Sequence, residues 1–142
     1  MGKKRVIKKV GQEGEGSSRS SQKSSKRKLE AGILHVNATY NNTYAVLTNG
    51  EGQVVASSSS GALGFSGSKK GTPFAASKVG DLLADKALGF GLKEVDVVIR
   101  GVGAGRESAM RAFVAKGINI NTIKDETPMP FNGPKQPRAR RV

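Results

Sequence analysis

Apolar residues along this chain fall into two periodic patterns, separated by stretches that have none. From Gly11 to Ser25 the run GQEGEGSSRSSQKSS carries no apolar side chain. It has nothing to bury and is expected to be disordered on its own. Beyond it, GILHVNA (32–38) and TYAVLTNGEGQVVASS (43–58) are rich in strand-forming residues and punctuated by turn formers, which predicts three strands in an antiparallel meander. Asn49-Gly50 is a dipeptide suited to the positive φ angles of a tight hairpin, and Asn41-Asn42 is placed in the first turn. At TPFAASKVGDLLADKALGFG (72–91) the period changes, with Ala75, Val79, Leu82, Leu83 and Phe90 recurring at helical spacing. Thr72 can cap this helix, Pro73 fits its first position, and Gly89 or Gly91 can end it. Gly80 weakens the helix and is expected where it presses on the sheet. VDVVIR (95–100) reads as a buried strand, RESAMRAFVAK (106–116) as a shorter helix, and INTIKD within 118–125 as a final strand.

The order β-β-β-α-β-α-β predicts an α/β domain with a mixed sheet, antiparallel first and parallel wherever a helix returns the chain. A length of 142 residues leaves room for one such domain. It is expected over 29–126, between flexible basic extensions at 1–28 and 127–142.

Charge sharpens this division. The net charge is +13, from 24 Lys and Arg against 11 Asp and Glu. Residues 1–28 contribute +8 and residues 126–142 contribute +3, so the segment between them carries only +2. Basic arms on a nearly neutral globule point to a polyanion as partner, nucleic acid above all. The chain has no cysteine, which excludes disulfides and thiolate metal sites. No apolar run nears the roughly 20 residues that cross a bilayer, and the basic N-terminus lacks the apolar stretch of a secretory signal.

Two glycine-rich stretches are the candidates for chemistry. GFSGSKKGTPF (64–74) sets Lys69 and Lys70 among three glycines just before the first helix. Ser66, Ser68 and Thr72 add hydroxyls there, and a helix start favours an anion, so a phosphate suits the group. The spacing is not that of a nucleotide-binding P-loop, which leaves a nucleic-acid backbone as the expected phosphate. IRGVGAGRES (99–108) repeats the arrangement with Arg100, Arg106 and nearby Arg111, its glycines at 101, 103 and 105 failing the dinucleotide fingerprint. These three arginines are a second expected phosphate-facing group. The tail TPMPFNGPKQPRARRV holds four prolines, expected to keep it extended along a groove, among basic residues that order on binding. Catalytic and metal sites find no pattern here: His35, the only histidine, sits in an apolar strand, and Asp81, Asp85, Glu94 and Asp96 read as surface charges. Phe74, Phe90 and Phe113 are expected in the core, with Phe65 the one candidate for stacking on a base.

GILHVNATYNNTYAVLT, GFSGSKKGTPFAA, GAGRES and the proline-rich tail occur in the order and spacing of a known family, and residues 29–142 resemble the small-subunit ribosomal protein eleven family of bacterial type. The resemblance implies a ribonuclease-H-like domain without catalytic carboxylates, lying in the platform of the cytoplasmic ribosome's small subunit. It implies the central domain of small-subunit ribosomal RNA and neighbouring platform proteins as partners, beside the messenger exit cleft that holds the Shine-Dalgarno helix. It implies no cofactor, no metal, no small-molecule substrate and no membrane. Carried over by position, the RNA contacts are Asn41, Asn42, Ser66, Ser68, Lys69, Lys70, Thr72, Arg106, Asn132, Lys135, Arg138, Arg140 and Arg141. Relatives usually have prolines where this chain has Val102 and Ala104, which implies a less rigid turn. A ribonuclease-H-like nuclease or a histone-like nucleic-acid-binding protein are the alternative functions.

Overall fold

A computed structural model describes residues 28–139. Three strands come first, β1 (Ala31–Ala38), β2 (Thr43–Thr48) and β3 (Val54–Ser59). A short 3₁₀ turn over Gly67–Gly71 leads into α1 (Pro73–Phe90), followed by β4 (Glu94–Arg100), α2 (Gly105–Val114) and β5 (Asn119–Asp125). The five strands form one sheet in the order β3-β2-β1-β4-β5. β1 is antiparallel to β2 and β2 to β3, while β1–β4 and β4–β5 are parallel, as the element order predicted.

Both helices lie on one side of this sheet because of its strand order. The connections β3-α1-β4 and β4-α2-β5 each join parallel strands and step the same way across the sheet. A right-handed crossover then puts both helices on the same face. Burial along the strands agrees: Leu34, Val36, Ala45, Leu47, Val95, Val97 and Ile99 are buried under the helices, and half-buried Ile33, His35 and Asn37 alternate with them on β1. Phe113 from α2 and Leu83 from α1 are fully enclosed in the same core.

α1 begins and ends as its sequence indicates. Thr72 is the N-cap, its Oγ1 accepting from the Ala75 N–H at 3.3 Å, and Pro73 takes the first helical position. Gly91 in the left-handed region (φ 83) closes it, with the N–H groups of Gly91 and Leu92 donating to Leu88 and Ala87. The buried stripe is richer in alanine than the predicted face. Ala75, Ala76, Val79, Leu83, Ala84 and Ala87 are buried, whereas Leu82 and Phe90 are only half covered.

Several expectations need correcting. Gly80 does not press on the sheet: a side chain there would run into the Ala109 carbonyl and the Ala112 methyl, so its absence lets α1 and α2 approach each other. In the β2–β3 hairpin the positive φ (84) falls on Gly52, not on Asn49-Gly50. Asn49 organises a wider loop instead. Its Oδ1 accepts from the N–H groups of Glu51 (3.1 Å) and Gln53 (2.8 Å), and Gly52 N–H donates to its carbonyl. The first hairpin centres on Tyr40-Asn41, one residue earlier than predicted, closed by Thr39 N–H to the Asn42 carbonyl at 2.9 Å. Phe74 is not a core residue, being 64% exposed. The tail is not straight, since it bends at Asn132, whose φ is 53, and brings Gly133 close to Pro130. The N-terminal extension, apart from exposed Lys28, lies outside the described residues, as do Arg140 and Arg141.

Candidate nucleic-acid interface

Three turns meet where β1 and β4 end. The β1–β2 turn is the wedge between the other two, and glycines explain how closely they fit. A side chain on Gly71 would strike the Tyr40 carbonyl, one on Gly101 the Ala38 carbonyl, and one on Gly103 the Thr39 carbonyl. Gly103 N–H also donates to Ala38 O at 2.7 Å. These three glycines serve packing of the chain on itself. Gly64 and Gly67 differ: both have positive φ (90 and 59), and nothing lies within 4 Å of where a side chain would begin. They shape a loop that is open on its outer side.

That loop displays most of the polar residues expected of it. Ser66, Ser68 and Lys69 are exposed. Lys70 is half-buried, its stem running past Gly61. Neither lysine has a carboxylate partner among the described residues. Thr72 is used within the fold, donating to the Lys69 carbonyl at 2.7 Å while it caps α1. Because Pro73 has no N–H and Ala75 and Ala76 both donate to Thr72, this helix start has fewer free donors than expected. Asn41 is exposed on the wedge turn, and Asn42 is half-buried with its carboxamide oxygen enclosed.

Beside this loop stands a group that sequence reasoning missed. Phe65 meets Phe74 edge to face at 6.0 Å between ring centroids, and the Lys78 ammonium sits 5.6 Å from the Phe74 centroid. The signal was available, since Phe74 and Lys78 are four residues apart on one helix and so share a face.

The second glycine-rich turn is different. All three of its arginines are occupied within the chain. Arg100 bonds Glu126 at 2.7 Å. Arg106 holds Asp125, the Gly101 carbonyl and Thr127 Oγ1. Arg111 pairs with Glu107 at 2.8 Å, one helical turn away. The Asp125 carboxyl is held at about 2, below its usual 3.8, first by the hydroxyl of Thr127 and then by Arg106. Arg100 likewise holds Glu126 below its ordinary value. In the tail Asn132, Lys135 and Arg138 are all exposed.

On the opposite face of the sheet, His35 lies 3.4 Å from Thr48 Oγ1. Among the described residues no three of His, Asp or Glu gather to hold a metal ion, and no helix is long and apolar enough to cross a membrane.

Residues 32–141 match the family model described as Ribosomal protein S11. The chain belongs to that family. The S11 family is one of small-subunit ribosomal proteins, which act in translation and bind RNA. Within this S11 chain the matched span takes in the five described strands, save the first residue of β1, and both helices, and runs into the tail.

Proposed function

We propose that this chain is a structural, non-enzymatic constituent of the small ribosomal subunit, in the cytoplasm. It binds the central domain of the ribosomal RNA in the platform, beside other platform proteins and the messenger exit cleft with its Shine-Dalgarno helix. The 29–126 globule supplies the fixed surface, and the basic arms at 1–28 and 127–142 enter between RNA helices and offset phosphate repulsion. An antiparallel 3-2-1 meander continued by parallel β4 and β5 supports a ribonuclease-H-like fold for the globule.

One observation carries the RNA reading: among the described residues Lys69 and Lys70 have no carboxylate partner, and they lie on an open loop beside exposed Phe74. Ser66 and Ser68 share that loop, and Asn41, Asn42, Asn132, Lys135 and Arg138 complete the proposed contact set together with Arg140 and Arg141. Thr72 acts through the loop it caps. Arg106 and Arg100 act mainly by positioning the start of the tail, and Arg111 contacts phosphate only by giving up Glu107.

The test is co-sedimentation of the tagged full chain with small subunits through a high-salt gradient. Retention in the subunit peak is the expected result. Release into the free fraction, or equal affinity of the chain for duplex DNA and structured RNA, would return the histone-like alternative. Metal-dependent RNA cleavage abolished by one Asp or Glu substitution would establish the nuclease instead.

A further inference from the structure

The tail and the wedge turn border a cavity whose apolar lining the proposed phosphate contacts leave unused. Its volume is about 400 Å³, within the range of small-molecule and base pockets. Tyr40, Gly101 and Val102 line it from the two turns. Pro128 and Met129 line it before the tail's bend, and Pro134 and Pro137 after it. The bend is built in, because Asn132 takes left-handed backbone and Gly133 approaches Pro130 closely. The tail's first residues are tied down by Arg106 to Thr127 Oγ1 and by Glu126 N–H to Ile99 O at 2.9 Å.

The lining chooses between occupants. Its surface is predominantly apolar, Lys135 is the one charged residue among the described residues that line it, and Arg138 follows directly after Pro137. Among the described residues no carboxylate lines it; Asp125 and Glu126, just before Thr127, are turned to Arg106 and Arg100. An aromatic ring, apolar walls and cations alone suit a flat, apolar-faced group that carries a phosphate. An aliphatic or proline-rich peptide would use the apolar walls but leave the cations without a partner.

We infer that this cavity receives one unstacked nucleobase of the ribosomal RNA, stacked on Tyr40, with Lys135 available to its phosphate. The inference deepens the RNA-binding reading above and rests on it. The tied-down tail start and the glycine-packed wedge turn fix the part of the cavity between Tyr40 and Pro128, against which the base docks.

The full chain is bound to a small-subunit ribosomal RNA transcript and the complex treated with dimethyl sulfate, kethoxal and carbodiimide, which together read the edges of all four bases. In the wild type an unpaired base is expected to be protected. Tyr40→Ala should lose that protection and bind about tenfold more weakly, while Tyr40→Phe should keep the protection and stay within about twofold. Identical base protection in wild type and Tyr40→Ala, with binding intact, overturns the cavity inference alone. Failure of the wild type to bind the transcript at all overturns the RNA-binding reading itself. If Tyr40→Ala does not fold, a photoreactive benzophenone side chain in place of Met129, which is 79% exposed, carries the test in assembled subunits. A cross-link to a ribosomal RNA base supports the inference, and one to protein or messenger overturns it.

Discussion

The loop at 64–72 and the turn at 100–106 are written in nearly the same vocabulary: glycines, adjacent cations and the start of a helix. They do opposite things with their charge. The lysines of the first have no carboxylate partner among the described residues, while Arg100 and Arg106 of the second hold Glu126 and Asp125. Strand order is the cause. The first loop follows β3, which is an edge strand among the described residues, whereas the second follows β4, whose neighbour β5 ends in Asp125 with Glu126 directly after it. The lesson is that a basic glycine loop is a ligand site or a structural latch according to what the adjacent strand brings.

The largest effect is steric, and it separates the glycines packed on the wedge turn from those on the open side of the first loop. Gly103→Ala places a methyl group into the Thr39 carbonyl and should cost about 3 kcal/mol of stability, read by chemical unfolding. Gly71→Ala, striking the Tyr40 carbonyl, belongs in the same class. Gly61→Ala, in the turn just before the first loop, meets only the Lys70 stem at an ordinary contact distance and should stay within about 0.5 kcal/mol. Gly64→Ala falls between, at about 1–2 kcal/mol, because its φ of 90 strains any side-chain-bearing residue without a clash. Equal costs at Gly61 and Gly103 would remove the distinction between an open loop and a packed one.

Which features were legible in the sequence follows the same divide. Strand alternation, the Thr72-Pro73 start and the Gly91 stop of α1, and the β-β-β-α-β-α-β order are local or periodic signals, and the sheet and helices fall where those signals put them. The partners of Arg106 were not legible, because Asp125 and Thr127 lie about twenty residues away and meet it only after β5 pairs with β4. The reason for Gly80 was hidden for the same cause: its neighbour is α2, not the sheet. Phe74 was misread because an aromatic residue at a helix start looks the same whether its face turns inward or outward. At Asn49-Gly50 the local signal itself misled, since the Asn49 side chain bonds two N–H groups further on and moves the left-handed residue to Gly52.

The second prediction compares the cations directly. Replacing Lys69 and Lys70 by Ala should flatten the salt dependence of RNA binding by up to about two phosphate contacts. Between about 50 and about 200 mM salt the wild type should then lose about tenfold more affinity than the variant. Arg106→Gln should leave that slope nearly unchanged. A third, smaller effect sharpens the contrast. Asp125→Asn with Glu126→Gln frees Arg106 and Arg100, and the slope should steepen by about one contact, measured by the same titration. A slope that drops with Arg106→Gln as far as with the lysine pair would mean that the latch opens onto RNA and that the two regions are one kind of site.

The smallest effect is in acid, and its sign follows from the latch. Asp125 is held at about 2 against a usual 3.8, by the Thr127 hydroxyl first and Arg106 next, so the folded chain binds this proton less readily than the unfolded one. Below pH about 4 the unfolded state takes up the proton first and is favoured. The stabilisation is therefore complete above that pH and lost as pH falls through about 2. Glu126, lowered by Arg100, acts in the same direction. Both pairs are solvent-accessible, so the dependence should shrink at about 1 M salt, where the screening length is about 3 Å. Chemical unfolding from pH about 5 to pH about 2 should show wild type and Asp125→Asn converging as the pH drops. The variant without Lys69 and Lys70 should follow the wild-type curve throughout, because among the described residues no carboxylate is paired to either lysine. Loss of the acid dependence in the lysine variant would mean that the open loop and the latch share their charges, contrary to the separation that strand order imposes on them.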